Sequence, residues 1–232
     1  EGLSVHVVDD GFNPNHPQFN GKTITQIGSI EDADGSSISN DHGLVVMGII
    51  GANRGDGMVV GGAPKVNFKI SSYDTSNFER GYYSRLAAGK GTVVQNNSWG
   101  YTSTGVTEYN NDPVYWKNRL SDYASALDKF QETGVIVKTI SNDLYRNGKY
   151  DDGSDLLAHM PLVFTDLKEA FITVGNLDRI DWNDGTTRHF RKSEVCGYTA
   201  EYCMVGDGSA LTALKGSSNT ALWSRSSTSG TS

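Results

Sequence analysis

Short apolar runs alternate with helical patterns along the first two-thirds of this chain, and that alternation restricts the fold more than any other feature. Leu3 to Val8, Val66 to Ile70, Val93-Val94, Val135-Ile136-Val137 and Phe171-Ile172-Thr173-Val174 read as short strands, with the continuous apolar character of strands buried on both faces. Val45, Val46, Ile49 and Ile50 have helical spacing and stop at the Asn53-Arg54-Gly55 loop. Trp116, Leu120, Tyr123, Ala124, Leu127 and Phe130 form an apolar stripe at i, i+3, i+4 spacing, the signature of a core-facing helix. The expected class is α/β, with a mainly parallel central sheet covered by helices on both faces. Sites in such sheets form at the carboxyl ends of strands. Asp9, Ser98 and Asn142 each follow a strand candidate, so all three are expected to line one crevice.

The chain of 232 residues is long enough for one sizeable core, and no linker divides it. A net charge of −7, with no Lys/Arg run, argues against a nucleic-acid surface. No apolar stretch approaches the ~18 residues of a membrane span, and no signal peptide is visible. The reading is therefore a cytosolic protein or a piece cut from a longer precursor. Its 27 glycines exceed the roughly 16 that average usage of about 7% would give. They gather in loops such as Gly55-Asp56-Gly57 and Gly61-Gly62, which implies many tight connections.

The chemistry-bearing residues stand in the order acid, base, nucleophile. Val7-Val8-Asp9-Asp10-Gly11 places a carboxylate at a strand end, Asp41-His42-Gly43 places an imidazole at a helix start, and Gly230-Thr231-Ser232 places a hydroxyl after small residues. Side chains alternate along a strand, so Asp9 and Asp10 should point apart, one buried against a histidine and the other toward solvent or substrate. Each motif is weak alone: Asp-Gly is a common turn pair, a lone histidine is more often structural, and Ser224 to Ser232 has the composition of a flexible tail. Their combination and order carry the reading. Cys196 and Cys203, the only cysteines, are too few for a Cys-based zinc site and suit a disulfide across a tight hairpin. Closing so short a loop contributes roughly 2–3 kcal/mol. The other reading is two reduced, half-buried thiols.

Nearly the whole chain resembles a subtilisin-like serine peptidase, a subtilase. Asp9-Asp10-Gly11 with the trailing Asn15-His16-Pro17 resembles the family's Asp segment, and His42-Gly43-Leu44-Val45-Val46-Met47-Gly48 its His helix. Gly61-Gly62-Ala63-Pro64 resembles its Gly-Val-Ala-Pro turn, Asn97-Ser98-Trp99-Gly100 its substrate-binding strand, and Ser141-Asn142 the end of the strand that supplies an oxyanion donor. Ile172-Thr173-Val174-Gly175 resembles the strand that follows, and Gly230-Thr231-Ser232 the nucleophile motif. The resemblance implies a three-layer fold, an Asp9-His42-Ser232 triad acting through an acyl-enzyme, and Asn142 as oxyanion donor. It also implies a protein or peptide substrate bound as an extended strand beside Ser98, Trp99 and Gly100, with Trp99 walling a pocket and Gly100 allowing close backbone approach. No cofactor is needed for that chemistry. A structural calcium ion, common in the family, has two oxygen-rich candidates, Asp32-Ala33-Asp34-Gly35 and Asn110-Asn111-Asp112, with solvated loops as the plainer reading.

Departures from the family pattern are specific. Leu44 and Val45 stand where Thr and His are usual, and Ser141 stands where Gly is usual before the oxyanion Asn. Nothing follows Ser232, so residues 1–232 are expected to be a peptidase-domain fragment completed by further chain beginning with a helix. The Asp-Asp-Gly and Asn-Ser-Trp-Gly motifs resemble the kexin/furin branch, while the paired cysteines and Ser229-Gly230-Thr231-Ser232 resemble bacterial autotransporter subtilases. A secreted or bacterial surface location follows from that resemblance and from a persistent disulfide. The alternatives are a non-catalytic binding or adhesion domain on the same fold, and a Ser hydrolase acting on esters.

Overall fold

Strand β1 (Ser4–Val8) is buried along its whole length, as a strand flanked by neighbours and covered on both faces must be. The computed structural model describes residues 2–55, 59–89, 91–100, 105–142, 145–146, 149–150, 155–208, 211–216 and 220–223. After β1 come β2 (Ile24–Gln26), α1 (His42–Gly51), β3 (Asn67–Ser71), α2 (Asn77–Ala87) and β4 (Thr92–Asn97). Next are α3 (Gly105–Asn111), α4 (Pro113–Gln131), β5 (Val135–Thr139), the short pair β6 (Tyr145–Arg146) and β7 (Lys149–Tyr150), and α5 (Met160–Val163). The described chain closes with β8 (Phe171–Asp181), β9 (Thr187–Arg191), β10 (Cys203–Asp207), β11 (Ala213–Leu214) and β12 (Leu222–Trp223).

The main sheet runs β10-β8-β5-β4-β1-β3-β2, with β9 added against the far half of β8. Its pairings are parallel except β8 with β9, so the sheet is mixed but mostly parallel, as the alternation of strands and helices predicts. The register Val7↔Ile70 and Val7↔Asn96 aligns the carboxyl ends of β3, β1 and β4, which puts the residues after them at one edge.

Alternation along β1 feeds two cores. Val5 and Val7 pack with Leu44, Val46 and Met47 of α1 and with Phe68 and Ile70 of β3. Val8 points to the opposite face, into the cluster of Leu120, Leu127 and Phe130 of α4 with Ile136 and Phe171. Helix α1 is apolar all round, and Gly43 through Gly48 are buried, as expected of a helix enclosed by protein. Helix α4 begins where Asp112 accepts the Tyr115 N–H at 2.9 Å and Pro113 takes the first turn. Its predicted stripe is buried at Leu120, Tyr123, Ala124, Leu127 and Phe130. Helix α2 was not among the expected elements, yet Ser76 and Glu79 form a reciprocal capping box at its start.

A polar thread runs through the core beneath β1. The His6 Nε2 lies 2.9 Å from the Ser71 hydroxyl, and its Nδ1 lies 3.0 Å from the Gln95 amide nitrogen. That amide also donates to Ser84 of α2, while Gln95 accepts from Asn97. An amide donor opposite Nδ1 requires that nitrogen to accept, which holds the ring neutral with its proton on Nε2. Burial, with the Lys69 charge adding, lowers the His6 pKa to about 3. Between that value and the ordinary histidine value of about 6.5, the unfolded chain binds a proton that the folded chain refuses. His6 therefore contributes stability above about pH 6.5 that declines as pH falls toward 3. The stability advantage of wild type over His6→Gln should accordingly shrink, by on the order of a few kcal/mol between pH 7 and pH 4, in urea unfolding curves. An advantage independent of pH would contradict a neutral buried ring.

Candidate active site

Asp9 extends the alternation of β1, on the Val5–Val7 side, and so meets the start of α1. Its carboxylate is fully buried, and the Nδ1 of His42 lies 2.9 Å from Oδ1 and 3.0 Å from Oδ2. The Asp10 backbone N–H also donates to Oδ1 at 2.9 Å. These hydrogen bonds offset the cost of burying the carboxylate. The His42 side chain is 31% exposed while that of Asp9 is 1% exposed, so the pair presents its imidazole end to solvent. The Asp9 charge raises the His42 pKa, against an opposing effect of burial.

The helix start is joined to the strand end directly. The Gly43 N–H donates to the Asp10 carbonyl at 2.6 Å, and the Leu44 N–H to the Gly11 carbonyl at 2.8 Å, which satisfies amides a helix leaves unpaired. A Cβ at Gly43 would lie 2.7 Å from the Phe12 ring and 2.9 Å from the Asp10 carbonyl, so no larger residue fits. Asp10, expected to face solvent or substrate, does not face solvent: it is buried, 8% exposed. Burial raises its pKa to about 6, a hydrogen bond from the Ser72 hydroxyl works against that rise, and Glu31, Asp9 and Asp74 add to it.

A cleft of about 260 Å³ opens at this edge, lined by Asp9, Ser39, His42, Tyr73, Ser98, Trp99 and Gly100. The structure thus brings together the expected acid, base and substrate strand. Trp99 is 8% exposed and is held on several sides. Tyr73 stacks on it at 5.3 Å between centroids and 14° between planes. The Arg80 guanidinium and the Lys138 ammonium lie 5.0 and 4.8 Å from its ring centre. Burial lowers the Lys138 pKa to about 8, while Asp155, 3.8 Å away, works to raise it. Trp99 is therefore both a core residue and a fixed cleft wall. The space beside Gly100 is taken by Asp155: a Cβ there would meet one of its carboxylate oxygens at 2.5 Å. Asp155 cannot retreat easily, since its Oδ1 accepts the Leu157 N–H at 2.9 Å and the Ala158 N–H at 3.3 Å.

Asn142 is exposed just beyond β5, the strand beside β4, on the same carboxyl edge as Ser98. Ser141 before it has φ +98°, alone among the described non-glycine residues in having positive φ. Ser141 therefore carries a side chain in a backbone conformation that favours glycine, at a strain of about 1–3 kcal/mol. Ser232 and the Gly230-Thr231 before it lie outside the described residues.

The remaining expectations resolve unevenly. Cys196 and Cys203 are bonded, with Cα atoms 5.8 Å apart. They bracket a 3-10 turn over Gly197–Tyr202 leading into β10, not the tight hairpin expected, because Thr199 turns back to hydrogen-bond the Cys196 carbonyl. The calcium candidates use their oxygens locally. Asp34 accepts from the Ser36 N–H and the Asn40 amide, and Asp112 caps α4. Among the described residues, no group of three or more His, Cys, Asp or Glu side chains is arranged to hold a metal. Tyr73 and Ser39 line the cleft without having been singled out. Tyr73 lies just beyond the carboxyl end of β3, so the strand-end rule that pointed to Asp9 and Ser98 pointed to it as well.

The Subtilase family profile matches residues 1–232. No curated protein matches the sequence. Solved structures with a similar fold include the protease domain of PatA, at TM-score 0.70 and 18% identity over 100% of this chain and 75% of that one. The prenylagaramide maturation protease PagA is similar at TM-score 0.67 and 19% identity, over 99% of this chain and 70% of its own. The nisin leader peptidase NisP from Lactococcus lactis matches at TM-score 0.54 and 19% identity, over 90% of this chain and 62% of that one.

Ser141→Gly tests the strained turn directly. Relief of strain exceeds the added chain entropy of glycine, so the variant should gain about 1 kcal/mol in unfolding free energy. A loss of stability would show that the Ser141 side chain contributes more than its backbone costs.

Proposed function

The chain belongs to the subtilase family and is a serine endopeptidase, and we propose the roles that its residues take in peptide-bond hydrolysis. Membership favours this activity over a binding or adhesion domain on the same fold. One observation carries the assignment: the buried Asp9 carboxylate bonds His42 Nδ1 at the mouth of a cleft whose other wall is Ser98-Trp99-Gly100.

With Nδ1–H donating to Asp9, the neutral ring has its lone pair on Nε2. Nε2 takes the proton of the Ser232 hydroxyl as Oγ attacks the peptide carbonyl, and gives that proton to the leaving amine. Asp9 holds the required tautomer and stabilises the imidazolium while it exists. The Asn142 carboxamide and the Ser232 backbone N–H donate to the oxygen that becomes negative, charge stabilisation that needs no solvent reorganisation. Water then attacks the acyl-enzyme by the reverse proton route. The substrate lies extended against Ser98-Trp99-Gly100, where backbone hydrogen bonds hold any sequence and Trp99 selects among side chains. The bonded Cys196–Cys203 pair supports a secreted or cell-surface enzyme, since disulfides persist in oxidising compartments. No helix among the described residues is long and apolar enough to cross a membrane.

Ser232→Ala in the full-length protein should abolish labelling by a fluorophosphonate and lower kcat on casein-derived peptides by about 10⁶-fold. Retained labelling would move the nucleophile elsewhere. Because the Asp9 charge raises the His42 pKa, the acid limb of kcat/KM should lie above the ordinary histidine value of about 6.5. Asp9→Asn should lower kcat by about 10⁴-fold and shift the limb toward acid. A limb that does not move on this substitution would remove Asp9 from the role.

A further inference from the structure

Asp41 is fully buried beside the catalytic histidine, and the mechanism above makes no use of it. It occupies the N-cap position of α1, where an aspartate ordinarily accepts from an amide of its own helix, yet its side chain makes no capping bond. The Asp10 and Gly11 carbonyls have already taken the Gly43 and Leu44 amides. Its carboxylate turns outward instead. Oδ1 accepts the Gly35 N–H at 2.8 Å, and Oδ2 accepts the Gly216 N–H at 2.7 Å, across 175 positions of sequence.

The second bond lies at the root of the segment that continues to Ser232. Gly216 fits against Asp41 so closely that a Cβ would lie 2.7 Å from the Ala33 Cβ and 2.9 Å from Asp41 Oδ1. Just before it, Ala213 and Leu214 are fully buried, and Leu214 touches α1 where a Cβ at Gly48 would be 3.0 Å away. Just after it, the chain returns along β12, antiparallel to β11. The Lys215 N–H donates to the Ala221 carbonyl at 3.2 Å, and the Lys215 ammonium lies 4.3 Å from the Trp223 ring centre. The hairpin is thus tied to itself by those contacts and to α1 by Leu214 and Asp41. Ser232 follows Trp223 by nine residues.

We propose that Asp41 is a positioning residue that fixes the nucleophile-bearing segment to the helix carrying His42. The proposal rests on the assignment of Ser232 as nucleophile. A carboxylate suits this task because it offers acceptors in two directions and no donor. Asparagine in its place must turn an amide N–H toward a backbone N–H, which breaks one of the two bonds and repels the segment it held. The base side of the site is anchored separately, through Asp9 and the Asp10 and Gly11 carbonyls, so loss of the clamp moves serine relative to histidine and leaves the Asp9–His42 pair in place.

The test is a cycle of Asp41→Asn, Gly216→Ala and the double variant in the full-length protein, with Ser232→Ala alongside. All are assayed on a peptide substrate well below their melting temperatures. Each single variant and the double should lose kcat by a similar factor, about 10²-fold, the scale of a displacement of about 1 Å between reacting groups. KM should stay within about twofold, and the acid limb of the pH profile should not move, since His42 keeps its partner. Turnover equal to wild type in Asp41→Asn, with only a lowered melting temperature, would make Asp41 merely structural and overturn the proposal. Multiplying losses in the double variant would overturn it too, because the two residues would then act apart. Full activity in Ser232→Ala would instead overturn the nucleophile assignment and the proposal with it, whereas an inactive Ser232→Ala beside fully active clamp variants defeats the clamp alone.

Discussion

The hydrogen bond between the Asp9 carboxylate and His42 Nδ1 is the interaction on which the rest of the site depends. It joins the end of the central strand to the start of the helix packed on that strand, so sheet and helix geometry are expressed directly in one distance, 2.9 Å. A buried carboxylate is costly unless its oxygens are occupied. Here the Asp10 N–H and the imidazole occupy them, and the same contacts orient the ring. Position and charge are therefore set by one group of bonds.

Beneath that bond, buried polar side chains tie the elements of the interior to one another. His6, Ser71, Gln95, Ser84 and Asn97 link β1, β3, β4 and α2 just under the edge where Asp9, Tyr73 and Ser98 emerge. Trp99 stacks on Tyr73 and lies against the Arg80 and Lys138 cations, so the cleft wall is continuous with the core. A polar network that links several elements in low dielectric favours one arrangement, and a hydrolytic site needs its reacting groups held within a fraction of an ångström.

Much of this is legible in the residues themselves. The continuous apolar run ending at Val8 requires a central buried strand, and two-residue periodicity sends Asp9 to the α1 side and Val8 to the α4 side. The stripe from Leu120 to Phe130 specifies α4 in the same way. What escaped reading lacks a periodic signal. Helix α2 carries exposed Phe78, Tyr82 and Leu86 that obscure its buried face, and its capping box is the better cue. The Ser72 hydroxyl that bonds Asp10 is distant in sequence and comes beside it only once β1 and β3 pair. The role of Asp41 depends likewise on Gly216, which no local pattern brings to it. Pairings fixed by topology stay invisible until the sheet order is known.

The state of the His42 ring tests the account most directly. In protein labelled with ¹⁵N-histidine, nitrogen chemical shifts followed from pH 5 to 9 report both the tautomer and the titration of each ring. The account predicts that neutral His42 carries its proton on Nδ1 and titrates above the ordinary value of about 6.5, because the Asp9 charge favours the imidazolium. A neutral ring protonated on Nε2, or one that titrates at or below about 6.5, would contradict it.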